Sequence, residues 1–94
     1  MSSLYIAIQA YDATVHLYNE NLRRKHVALT LYLEARRDYE AACASDSTFK
    51  SLLGEIKHDA ARDLVAISRI VAEGLTAVDQ ASYYIELIHP LKRN

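Results

Sequence analysis

The chain has 94 residues, 51% of them apolar and 24% charged, with a formal net charge of −1. That length makes one small domain with a modest core. The composition is too apolar for a disordered tail, and charge near zero argues against a general nucleic-acid binder. Only two glycines and one proline occur, and Val, Thr and Phe are sparse beside Ala, Leu, Glu, Arg and Ile, a balance that favours helix.

Leu4, Ile8, Tyr11, Val15, Tyr18 and Leu22 follow 4-3-4-3-4 spacing, which places them on one face of a helix. The spacing continues through Lys25, Leu29, Tyr32, Arg36, Tyr39 and Cys43, so two seam positions are cationic. Burying a lone Lys or Arg is costly. Either the chain turns near Lys25 to Val27, giving two helices, or the basic residues face a partner. The turn is favoured, although no Gly or Pro marks it. Ala44-Ser45-Asp46-Ser47-Thr48 is the clearest break, and Ser45, Asp46 or Ser47 is expected to cap the next helix.

Phe49, Leu53, Ile56, Ala60, Leu64, Ile67, Val71 and Leu75 form a second helical seam, with Gly74 as candidate terminator. Val78 to Ile88 reads as a short helix or an extended tail, and Pro90 ends any regular element. The expected fold is all-α: a single domain over 1–94, a three-helix bundle of the long-hairpin type with a C-terminal tail. Helix 1 covers about 4–26, helix 2 about 28–44, helix 3 about 47–74, and the tail 75–94.

Chemistry-bearing groups are few. Cys43 is the single cysteine, so no intramolecular disulfide forms and a reducing compartment is expected. Its place on the apolar seam reads as a small hydrophobe rather than a reactive thiol, despite Arg36, Arg37 and Lys50 nearby. His58 with Glu55 and Asp59 is a weak cluster, better read as a solvated helix face than as a metal site. No Gly-rich phosphate loop, Ser/His/Asp set or nucleophile elbow appears, so no catalysis and no cofactor of its own are expected. No apolar run approaches the ~18 residues of a membrane span. The N-terminal stretch lacks a secretory or transit pattern, so organelle import is expected to need an internal or unusual signal.

Two features point to binding. Tyr11, Tyr18, Tyr32 and Tyr39 lie along the first seam, and a core so rich in tyrosine suits an interface or an amphipathic tunnel. Within residues 23 to 37, Arg23, Arg24, Lys25, Arg36 and Arg37 stand against Glu34 alone. On a straight helix Lys25 and Arg36 lie about 20° apart and Arg23 and Arg37 about 40°. If the chain turns between them, the two groups face across a hairpin instead. Either arrangement suits an acidic protein or a phosphate group.

Leu17-Tyr18 followed by Leu22-Arg23 resembles the Leu-Tyr-x-x-x-Leu-Arg start of the LYR family of small mitochondrial helical proteins. Arg36 and Tyr39 are similar to that family's Arg-x-x-Phe pair. Ala61-Arg62-Asp63-Leu64, with Ile67, Arg69, Asp79 and Ile85-Glu86, looks most like the family's cysteine desulfurase accessory subunits. The likeness covers about residues 13 to 94, with a loop of roughly four residues missing between the first two helices. Asn19 stands where the motif's arginine belongs, so Arg23 or Arg24 would have to supply that charge.

The resemblance implies a mitochondrial matrix adaptor that stabilises cysteine desulfurase in iron–sulfur cluster assembly and binds acyl carrier protein. Arg23, Arg24, Lys25, Arg36 and Arg37 would then face the carrier. Leu17, Tyr18, Leu22, Tyr39, Leu64, Ile67 and Val71 would line a tunnel for the acyl chain on its 4'-phosphopantetheine arm. One alternative is a structural subunit of a mitochondrial respiratory complex. Another, from the 4-3 spacing alone, is a coiled-coil module of a scaffold or homo-oligomer.

Overall fold

The computed structural model describes residues 2–89 and contains two α-helices: α1 spans Ser3–Ala44 and α2 spans Lys50–Ile88. The fold is all-α, as composition implies, but it is a two-helix hairpin and not a three-helix bundle. Helix α1 runs through Lys25 to Val27 without a turn. Arg24, Lys25, Ala28 and Leu29 are good helix formers, and neither Gly nor Pro interrupts them. Lys25 does not force a break because it is only half-buried, and its methylene stem can cover apolar surface while the ammonium stays in water. The expected end at Gly74 is also absent. Helix α2 continues to Ile88, so the described part of the supposed tail is mostly helix. Pro90 and the rest of the tail lie outside the described residues.

Both helices have identifiable ends. Ser2 caps α1, its Oγ accepting a hydrogen bond from the Tyr5 amide at 3.2 Å. At the other end the Ser47 amide donates to the Ala42 carbonyl at 2.9 Å and the Asp46 amide to the Cys43 carbonyl at 3.3 Å. This is a Schellman closure. It needs a left-handed residue, and Asp46 supplies it at φ 49° without a glycine. Ser47 then opens the next helix, its Oγ accepting from the Phe49 amide at 3.1 Å. One serine thus closes one helix and caps the next, which keeps the connection short.

By compactness the chain divides into two units, one of residues 1–22 with 70–94, the other of residues 23–69. Each holds a stretch of α1 and a stretch of α2. Along α1 the half-buried positions Leu4, Tyr11, Tyr18, Lys25, Tyr32 and Tyr39 recur every seven residues. Three residues after each comes a small or polar one: Ala7, Thr14, Asn21, Ala28, Ala35 and Ala42. Four of these are buried, with Ala7 at 4% and Ala42 at 5% exposure. This is the heptad of a coiled coil, and it corrects the expected seam. The tyrosine column holds, but its companion is the small column and not Ile8, Val15, Leu22 and Leu29. Of those four, Ile8, Leu22 and Leu29 are exposed. On α2, Leu53, Ala60, Leu64, Ile67 and Val71 are buried or half-buried, whereas Ile56 and Leu75 are exposed, as is Phe49 just before the helix.

The reason is shape. In the first unit Gly74 of α2 lies against Tyr18, and a Cβ there would come within 3.2 Å of the Tyr18 Cδ2. In the second, a Cβ on Gly54 would come within 3.0 Å of the Tyr39 Cε1. Each phenol ring fills the space of a missing side chain, a large-on-small fit that dense packing requires. Carried along the heptad from the Tyr18–Gly74 contact, the same register sets Tyr11 opposite Ala81, Thr14 opposite Val78 and Asn21 opposite Val71. Thr14 sits on the seam without an orphaned hydroxyl, since its Oγ1 donates to the Ala10 carbonyl at 2.7 Å.

Candidate interaction surface

The seam buries little, because the column of α1 that packs closest is mostly alanine and the larger seam residues of both helices are mostly half-buried. Among the described residues, none of the large side chains is fully buried, and the buried apolar set is Ala7, Ala35, Ala42 and Val71. The large apolar side chains lie beside the seam. In the first unit Ile6, Leu17, Tyr83 and Tyr84 are each more than half exposed. In the second the same holds for Val27, Leu31, Phe49, Leu52 and Val65. Scattered exposed leucines are ordinary, but columns of them flanking both sides of a helical seam mark surface that another element can cover.

The second unit has two distinct flanks. On one, Tyr39 leans on Gly54, and an open groove is lined by Tyr39, Lys50, Ser51, Gly54, Glu55, His58 and Asp59. The Lys57 ammonium stands 4.9 Å from the Tyr39 ring centroid, a cation–π contact. The Cys43 thiol one turn along raises the Tyr39 phenol above its ordinary pKa of 10.0, first by their side-chain hydrogen bond and second by repulsion between the two anions. Cys43 is exposed, so the expectation of a small buried hydrophobe is corrected. The small column, not the Cys43 column, faces α2. His58, Glu55 and Asp59 lie in the groove among charges of both signs, and among the described residues no group of three metal-ligating side chains forms.

The opposite flank is apolar. Its groove is lined by Arg24, Val27, Ala28 and Leu31 of α1 with Ala60 and Asp63 of α2. Val27 and Leu31 are 57% and 55% exposed at its edge.

The expected basic residues all lie on α1 within the second unit. Arg23, Arg24, Arg36 and Arg37 are exposed, and Lys25 is half-buried on the seam. A continuous helix excludes the arrangement in which they face one another across a turn. Arg23 and Arg37 share a column but stand about 21 Å apart along the axis, so they form two basic ends rather than one cluster. Arg36 Nε approaches Glu40 Oε1 at 3.7 Å, an exposed contact that contributes little.

Of the expected tunnel residues, Val71 is buried, Tyr18, Tyr39, Leu64 and Ile67 are half-buried, and Leu17 and Leu22 are exposed. Tyr18 and Val71 share the seam of the first unit, which Leu17 and Leu22 flank. Leu64 and Ile67 are on the seam of the second unit, but Tyr39 is matched to Gly54 near the turn and is not brought to them. Sequence reasoning missed the small column and the two glycine notches. Their signal was present: a small residue three positions after each member of the tyrosine column, and glycines within an otherwise helical run.

Comparison with protein-family models, curated proteins and solved structures yields no match. Among the described residues no helix is long and apolar enough to cross a membrane.

Proposed function

We propose that this chain is a non-enzymatic helical interaction module that supplies two helices to a larger bundle. The observation that carries the reading is the number of large apolar side chains left more than half exposed beside the seam, while the buried apolar set among the described residues is three alanines and one valine. Helices gain most of their stability by burying an amphipathic face, and here the larger part of that face lies beside the intramolecular contact. The isolated chain should therefore either bind a hydrophobic dye as a monomer or melt with a concentration-dependent midpoint as an assembly. A chain that binds no dye and melts at one temperature over a hundredfold concentration range is self-contained, and the reading fails.

A second reading rests on the LYR resemblance together with the exposed Arg23, Arg24, Arg36 and Arg37. In it the partner is acyl carrier protein and the assembly is mitochondrial, either the cysteine desulfurase complex or a respiratory complex. The hairpin departs from the three helices that the resemblance implies, so any acyl tunnel would need a helix from the partner. Titrating the chain with acyl carrier protein tests this directly. Binding that weakens roughly tenfold in Arg36→Glu supports it through loss of a charge-assisted contact, and no binding at micromolar concentrations refutes it.

A further inference from the structure

The charge of the first unit is of one sign. Its described residues include five carboxylates, Asp12, Glu20, Glu73, Asp79 and Glu86, and no lysine or arginine. The second unit holds nine lysines and arginines against seven carboxylates. Lys92 and Arg93 of the sequence lie outside the described residues. Glu20 and Glu86 already interact with other groups of the chain, so Asp12, Glu73 and Asp79, all exposed, are the charges a partner would meet.

Asp12 and Asp79 belong to one flank. Asp12 follows the seam residue Tyr11 by one position, and Val15 follows it by four. On α2 Asp79 follows Val78 by one position, and Leu75 follows Val71 by four. One position is about 100° around a helix and four positions about 40°. Each helix therefore presents an apolar residue beside the seam and an aspartate beyond it. Antiparallel right-handed helices that face each other bring these two sides to the same flank. The second unit shows the same sense: one groove is lined by Tyr32 and Tyr39 together with Ala61 and His58, four and one positions after Lys57.

In the register of the Tyr18–Gly74 contact, Asp12 and Asp79 stand within one residue, about 1.5 Å, of the same height. Between them Ile8 is 42% and Leu75 48% exposed, and Val15 is half-buried. Among the described residues the nearest lysine or arginine along α1 is Arg23, about 16.5 Å from Asp12, and along α2 it is Arg69, about 15 Å from Asp79. Those separations are about twice the Debye length of ~8 Å at physiological salt. The flank is an apolar strip with an aspartate on each wall.

We infer that this flank of the first unit receives an amphipathic helix of another protein whose apolar stripe is bordered by lysine or arginine. The stripe would lie on Ile8, Val15 and Leu75, and the cations on its two sides would meet Asp12 and Asp79. The same unit of a second copy would bring carboxylate against carboxylate, which disfavours self-pairing here. The inference rests on the interaction-module reading and names the chemistry of its partner.

The probe is a labelled helical peptide of about three heptads, with leucine on its stripe and lysine on both borders. Its counterpart carries glutamate for lysine. Fluorescence anisotropy with the full chain at about 150 mM salt reads binding, and hydrophobic dye binding and helicity are measured on the same samples. The lysine peptide should bind at micromolar concentration, about tenfold or more tightly than the glutamate peptide. Leu75→Ser should weaken it about tenfold through lost apolar burial, whereas Leu17→Ser, on the other side of Tyr18, should leave it unchanged. Asp12→Lys and Asp79→Lys should each weaken it about tenfold. The two together should reverse the preference in favour of the glutamate peptide, a reversal that loss of folding cannot imitate. Equal binding of both peptides, or binding indifferent to Asp12 and Asp79, overturns the inference and keeps the module. A chain that binds the dye, or melts with a concentration-dependent midpoint, yet takes neither peptide has the same meaning. A chain that binds no dye and melts at one temperature overturns both.

Discussion

The two tyrosine–glycine contacts use the same device in different surroundings. In the first unit Tyr18 meets Gly74 on a seam that the register fills with branched residues, Val71 and Val78 among them. The ring is held near its root, with Tyr18 Cβ 3.9 Å from where a Gly74 side chain would begin. In the second unit Tyr39 meets Gly54 through its ring edge. Beside it are an open groove and Lys57 rather than apolar side chains. A glycine notch therefore receives a ring in both units, but Tyr18 meets it close to its root, whereas Tyr39 meets it at the ring edge beside an open groove.

The largest test of that contrast is to fill each notch. Gly74→Leu should destabilise the fold by about 2–3 kcal/mol in denaturant unfolding, the usual cost of overpacking. Gly54→Leu should cost only about 1 kcal/mol, because Tyr39 can swing toward solvent and the helix gains propensity on losing glycine. Equal losses would show that the two seams are alike.

A smaller effect separates the polar residues on the two seams. Asn21 is 7% exposed, so Asn21→Leu should raise stability by about 1 kcal/mol on removing a buried amide of similar size. Lys25 is only half-buried, and Lys25→Leu should gain no more than about 0.5 kcal/mol because its ammonium is already hydrated. Thermal unfolding of the pair ranks them, and a larger gain at Lys25 would contradict the assigned burial. Lys57→Met should cost about 0.5 kcal/mol through the lost cation–π contact, with Tyr39→Leu cancelling the difference in a double-mutant cycle.

The finest test is the phenol itself. Cys43→Ala should bring the Tyr39 pKa down toward 10.0, read as tyrosinate absorbance. A pKa raised by folding means that the native state favours the neutral phenol. That contribution is complete below pH 10.0 and is lost as pH rises through the higher folded value, so the wild type should lose slightly more stability than Cys43→Ala across that alkaline window. No shift in the variant would show that the thiol does not act on Tyr39.

Much of this architecture could be read along the chain. The helical class followed from composition, and the break at Ser45-Asp46-Ser47 from turn-forming residues that do close α1 and cap α2. The tyrosine column was also legible, because Leu4, Tyr11, Tyr18, Tyr32 and Tyr39 repeat at a helical period. What misled was the choice of its companion. Ile8, Val15, Leu22 and Leu29 lie about 40° to one side of that column and the small residues about 60° to the other. Hydrophobicity favours the first and packing the second. A turn at Lys25 was a similar error, since a lysine on a seam can keep its charge in water. The interaction surface followed the same division: the arginines were legible as cations, but which apolar side chains stand beside the seam was not, because that depends on how α1 is rotated.

The sequence by itself determined that the chain is helical, where it breaks, and which column of α1 must touch something. Only the tertiary structure decided how α1 is rotated about its axis, and so which apolar column is left for a partner. The physical reason is that this rotation is set by the shapes of residues far along the chain. Tyr18 and Tyr39 fit the places where α2 has only hydrogen, and a tyrosine beside a glycine outweighs a leucine with nothing opposite it.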